Sequence, residues 1–90
     1  MGRKRNVERN LPMVSLRIKA LRKSMGITQV QLASALSVSK GTVAMWESGS
    51  RMPKAADVYK MARLFRCRMD YVLGYSIDDR LYDYALEFLL

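Results

Sequence analysis

The sequence predicts an all-α fold on three observations: apolar residues recur at helical spacing through most of the chain, helix-start and helix-stop residues punctuate those stretches, and no segment of the body reads as a strand. At 90 residues there is room for one domain and one hydrophobic core of modest size. Half of the residues are hydrophobic, and 5 glycines and 2 prolines leave little material for long linkers. The expected organisation is a flexible basic N-terminal arm over residues 1–11, a helical domain over 12–75 and an amphipathic segment over 76–90.

Each element takes its bounds from local chemistry. Residues 1–10 hold Arg3, Lys4, Arg5 and Arg9 with one aliphatic side chain, Val7, too little apolar surface to fold alone. From Pro12 to Ser24, Val14, Ile18 and Leu21 recur at i, i+4 and i+7 and Met25 continues the spacing. Arg17, Lys19, Arg22 and Lys23 fill the other faces, and Gly26 supplies a stop. Thr28 and Gln31 form a capping-box pattern that starts a second helix with Leu32, Ala33 and Leu36 on its buried face. The poor helix formers Ser37, Val38 and Ser39 end it.

Ser39 is in turn a good N-cap for a third helix that runs to about Glu47 and stops at Gly49. Its spacing turns Val43 and Trp46 inward and Lys40, Gly41 and Ala44 or Met45 outward. Pro53 suits the start of a fourth helix, with Val58, Met61, Ala62 and Phe65 at helical spacing. A fifth, short helix from Met69 to Leu73 is bounded by Gly74 and covers the open end of the core with Val72 and Leu73. The expected core is Ile18, Leu21, Leu32, Ala33, Leu36, Val43, Trp46, Met61 and Phe65.

The last stretch fits two periods. Leu81, Tyr84, Ala85, Phe88 and Leu89 lie on one helical face, while Tyr82, Tyr84, Leu86, Phe88 and Leu90 follow a two-residue alternation. Ser76 and Asp79, spaced as a helix start just before the apolar run, favour an additional C-terminal helix.

Charge narrows the function. The 16 Lys and Arg exceed the 8 Asp and Glu by a formal +8, which attracts polyanions without saying which. Residues 1–77 hold fifteen basic and four acidic side chains, a net +11, whereas residues 78–90 hold one against four, a net −3. A basic binding body and a tail with another task are expected. The single cysteine, Cys67, cannot form an internal disulfide, and no apolar run approaches the roughly 20 residues needed to span a bilayer. Glu8, Arg9 and Asn10 follow Val7 where a signal peptide would turn apolar, and Asn6 breaks the myristoylation pattern. A cytoplasmic protein is expected. With no histidine, a lone cysteine at an apolar position and no carboxylate pair backed by a pocket signal, neither an enzyme nor a metal site is expected, and no cofactor.

The run Thr28-Gln29-Val30-Gln31-Leu32-Ala33, then Leu36-Ser37-Val38-Ser39, then Thr42-Val43-Ala44-Met45-Trp46-Glu47-Ser48-Gly49, then Arg51-Met52-Pro53, resembles the phage-repressor and Cro (XRE-type) helix-turn-helix family. Met61-Ala62-Arg63-Leu64-Phe65 and Leu73-Gly74 match that family's fourth and fifth helices, so the resemblance spans about residues 13–75. It implies a five-helix, lambda-repressor-like helix-turn-helix domain with an additional C-terminal helix. It also implies a small transcriptional regulator that binds double-stranded DNA sequence-specifically, a repressor acting as a homodimer on a two-fold symmetric operator, with the helix from Ser39 to Glu47 in the major groove. The alternative is a protein-interaction module on the same fold, an antitoxin-like partner or a coactivator adaptor.

Carried over residue by residue, the resemblance assigns base reading to Lys40, Gly41 and Met45, and phosphate or thymine-methyl contacts to Ser39 and Thr42. Of the three base-reading positions, Lys40 alone has a side chain that can donate to guanine O6 or N7. Gln29 matches a phosphate-clamping glutamine at a helix N-terminus that already favours an anion; the alternative is a solvated polar side chain. Arg22 and Glu47 match a pair that bridges the first helix to the end of the recognition helix, against the alternative of two exposed charges. Trp46 follows Val43 at i+3 and reads as core rather than as a DNA-stacking residue. Outside the recognition helix, Arg51 and Lys54 are the first candidates for phosphate neutralisation.

Three positions depart from the family pattern. Ser37 replaces a turn glycine, which asks a serine to take positive φ. Gly41 costs helix stability and brings no side chain to the groove, though it permits close backbone approach. Met45 offers only apolar contact where a polar residue is usual. Direct readout is therefore thin, and DNA shape, or an N-terminal arm entering the minor groove, is expected to share the task; a solvated arm is the other reading. For the tail, the stripe of Leu81, Tyr84, Ala85, Phe88 and Leu89 serves either as a dimer contact or as a strip docked on the chain's own core.

Overall fold

The computed structural model describes residues 11–76. Within them the chain forms five helices: α1 (Met13–Ser24), α2 (Gln29–Leu36), α3 (Lys40–Ser48), α4 (Ala55–Phe65) and α5 (Met69–Leu73), with no strand among the described residues. The basic arm over 1–10 and the stretch 77–90, with Leu81, Tyr84, Ala85, Phe88 and Leu89, lie outside the described residues. α1 packs on α3 and α5, α2 on α3 and α4, and α4 on α5.

Local chemistry starts each helix. Thr28 sits in extended backbone, its hydroxyl accepts from the Gln31 amide at 3.1 Å, and the Gln31 side chain accepts from the Thr28 amide at 2.8 Å, the reciprocal capping box. Ser39 caps α3 by accepting from the Thr42 amide at 3.0 Å. Two starts differ from expectation. Pro12 is the N-cap of α1 and not its first residue. α4 begins at Ala55, because Lys54 takes an extended conformation (φ −74°, ψ 160°) that separates Pro53 from the helix; Asp57 in the first turn then complements the helix dipole.

All five helices end the same way. A residue beyond the last turn takes left-handed backbone, Gly26, Ser37, Gly49, Arg66 or Gly74. The next amide then reaches back five residues: Ile27 N to Arg22 O, Val38 N to Ala33 O, Ser50 N to Met45 O, Cys67 N to Ala62 O and Tyr75 N to Asp70 O. Ser37 adopts φ 60° and ψ 42°, the positive φ that its place in the turn requires.

The core brings together Val14, Ile18, Leu32, Ala33, Leu36, Val43, Trp46, Val58, Met61, Ala62, Cys67 and Val72. Leu21 and Phe65, expected inside, are only partly buried, since each sits in the last turn of its helix at the rim of the core. Leu11 was expected in the arm, but its side chain lies against the C-cap of α3, where a Cβ on Gly49 would come within 2.9 Å of it. The folded body therefore begins before α1.

Candidate nucleic-acid interface

The helix-turn-helix is α2, the left-handed turn at Ser37, and α3. Burial of Val43 and Trp46, the latter 1% exposed, fixes the rotation of α3 about its axis. That rotation leaves Lys40, Gly41 and Met45 on the outer surface and Thr42 half-buried. The Ser39 and Thr42 hydroxyls lie 2.9 Å apart, so the cap that starts α3 also orders the polar group next to Lys40. A Cβ on Gly41 would meet only the Ser39 Oγ, at 3.8 Å. The packing of the fold itself therefore does not require glycine there.

Behind this surface lies a buried polar cluster. Arg22 on α1 donates from Nε to Glu47 Oε2 at 2.6 Å and from Nη2 to Oε1 at 3.0 Å, and its Nη1 donates to the Ile27 carbonyl at 2.9 Å. The Glu47 side chain is 4% exposed and that of Arg22 11%. Gln29, the first residue of α2, donates from Nε2 to Glu47 Oε1 at 3.1 Å. One carboxylate thus joins α1, the N-terminus of α2 and the C-terminal turn of α3. The hydrogen bonds to Glu47 push the Arg22 pKa above its ordinary value, against the opposing effect of burial. The alternative of two exposed charges is excluded by this geometry.

Arg51 and Lys54 are exposed on the connection from α3 to α4. Together with Thr42, Asp57 and Lys60 they line a groove of about 440 Å³ whose floor includes Trp46. Lys60 reaches from α4 to the Leu36 carbonyl at 3.3 Å, bonding the C-terminal end of α2. Sequence reading passed over Lys60 because its helical spacing marks it only as surface; the Asp57 and Lys60 pair at i, i+3 on the face next to Arg51 and Lys54 is the signal that could have found it. The structure therefore gathers Thr42, Arg51 and Lys54 around one groove, sets Lys40, Gly41 and Met45 on the outer face of α3, and ties Gln29 to the Arg22–Glu47 pair.

An exposed helix face that bears Lys40, presented by a buried tryptophan and a buried ion pair one tight turn after a capped helix, defines a helix-turn-helix protein of the phage-repressor and Cro type. The family model described as "Helix-turn-helix" matches residues 18–72, and the chain belongs to that family. It is 32% identical over 66 residues to an uncharacterised HTH-type transcriptional regulator, YobD, of Bacillus subtilis, covering 73% of this chain and 59% of that protein. It is 32% identical over 57 residues to the HTH-type transcriptional regulator DicA of Escherichia coli, covering 63% of this chain and 42% of that one. The chain thus matches little more than half, or less, of the length of these two relatives. The crystal structure of the P22 c2 repressor in complex with a synthetic operator superposes with a TM-score of 0.67 at 26% identity, covering 71% of this chain and 97% of that one.

Proposed function

We propose that the protein is a cytoplasmic transcriptional regulator that binds double-stranded DNA sequence-specifically, with α3 in the major groove. The observation that carries this reading is the outer face of α3, where Lys40, Gly41 and Met45 stand clear of the core beside the cationic groove of Arg51 and Lys54. Lys40 donates to a guanine edge, Met45 meets a thymine methyl, and Ser39 and Thr42 meet the phosphates or thymine methyls at the helix start. Gln29, Arg51 and Lys54 neutralise or clamp phosphates on either side. The similarity to an operator-bound phage repressor supports the same reading.

A single helix-turn-helix spans a half-site of a few base pairs, so useful specificity calls for a homodimer on a two-fold symmetric operator with half-sites about 10 base pairs apart. The stripe of Leu81, Tyr84, Ala85, Phe88 and Leu89 is the proposed dimer contact. Repression follows by exclusion of polymerase from the occupied site. Selection of bound duplexes from a random pool, followed by titration of the selected site against salt, tests the proposal. An inverted repeat bound far more tightly than random DNA is the expected result. Weak, sequence-blind binding at every salt concentration would instead favour a protein-interaction module on the same fold.

A further inference from the structure

One face of the described body is apolar and uncovered. On α1, Met13 and Leu16 are 51% and 39% exposed, and Ala20 is exposed beside them. Spaced at i, i+3 and i+7, the three share one face of the helix. Tyr75, 83% exposed, extends that face, because Gly74 packs so closely on Met13 that a Cβ there would collide with it. Lys19 and Lys23, exposed and one turn apart, run alongside.

The chain leaves the described body at the edge of this same face. Arg17 lies 3.9 Å over the Tyr71 ring, donates to the Tyr71 carbonyl at 2.8 Å and donates to the Ser76 carbonyl at 3.2 Å. The exit point is thereby pinned to α1. The fourteen residues beyond it carry the stripe of Leu81, Tyr84, Ala85, Phe88 and Leu89, together with Asp79, Asp83 and Glu87 at four-residue spacing.

We propose that the apolar face of α1 is the docking surface for the C-terminal segment of a second copy, each chain giving its tail to the other. This rests on the dimer reading above and supplies the surface that reading lacks. Charge chooses the partner of the tail: tail against tail sets acidic rows side by side, whereas tail against α1 sets Asp79, Asp83 and Glu87 next to Lys19 and Lys23. Symmetry favours exchange over docking within one chain. Exit point and docking face are neighbours on each body, so a two-fold axis beside them lets both tails cross and leaves no unpaired face. Docking within one chain would cover the same face and leave the dimer without a contact.

Light scattering on three full-length proteins tests this: the wild type, Leu16→Glu, and the double variant Tyr84→Glu/Phe88→Glu. Circular dichroism and thermal melts verify that the variants remain folded, as the exposure of Leu16 leads one to expect. The expected result is a wild-type dimer and, in each variant, a dimer dissociation constant raised about tenfold or more. Mixing the two variants should then restore a 1:1 heterodimer, since one intact tail meets one intact face. A Leu16→Glu protein as dimeric as the wild type, or a mixture that associates no better than its components, overturns the exchange while leaving the dimer reading standing. A wild type that stays monomeric, both alone and on the selected inverted repeat, overturns the dimer reading and the exchange together.

Discussion

Trp46 and Glu47 are neighbours on α3, and both are buried, one as the largest apolar side chain of the core and the other as a carboxylate. Trp46→Ala leaves a cavity under the helix-turn-helix and is expected to cost about 3–5 kcal/mol in chemical denaturation. A variant that melted like the parent yet failed to bind DNA would instead make Trp46 a contact residue. Glu47→Ala strands the Arg22 guanidinium and removes the acceptor of Gln29, an expected loss of about 3–5 kcal/mol. Replacing the pair together, Arg22→Met with Glu47→Leu, is expected to recover most of that loss, and the comparison of the three melts checks it. The raised pKa of Arg22 gives a folded-state contribution that is complete below arginine's ordinary range and falls only above it. Any softening of the fold between neutral pH and about 10 therefore originates in other groups.

The helix ends show what local sequence can and cannot encode. Ser37 and Arg66 are the two residues other than glycine with positive φ among the described residues, at 60° and 57°. Such a conformation costs a side chain about 1–2 kcal/mol, and a glycine returns part of that gain as chain entropy. Ser37→Gly is thus expected to stabilise the protein by about 0.5–1 kcal/mol, read as a shift in denaturation midpoint at unchanged slope. The strain at Ser37 was legible because the family resemblance puts a glycine at that position of the turn, whose bounds are marked by the Thr28 and Gln31 capping box before it and the Ser39 cap after it. Arg66 was not legible. There the left-handed residue is imposed by Cys67, whose burial brings its amide back to the Ala62 carbonyl, and burial is a long-range property. The same limit explains the rest. Inward positions such as Ile18, Val43 and Trp46 follow from helical period alone, whereas the rim positions of Leu21 and Phe65, and the groove that recruits Lys60, depend on how the five helices pack.

At the scale of the whole molecule, the net +11 of residues 1–77 attracts polyanions, and on the proposed reading a small set of groups turns attraction into choice. On the proposed reading Arg51 and Lys54 act as point charges on phosphates, so replacing either with alanine should weaken binding to selected and random duplexes alike and lower the salt slope by about one. Lys40 stands on the outer face of α3, and Lys40→Ala should cost about 1–3 kcal/mol on the selected site with a smaller effect on random DNA. The most direct test of base reading by α3 is therefore the ratio of dissociation constants for selected and random duplexes, measured for the wild type, Lys40→Ala and Arg51→Ala over a range of salt. The ratio should fall by about tenfold or more for Lys40→Ala and hold for Arg51→Ala. Equal losses on both duplexes in the two variants would contradict a reading helix at α3.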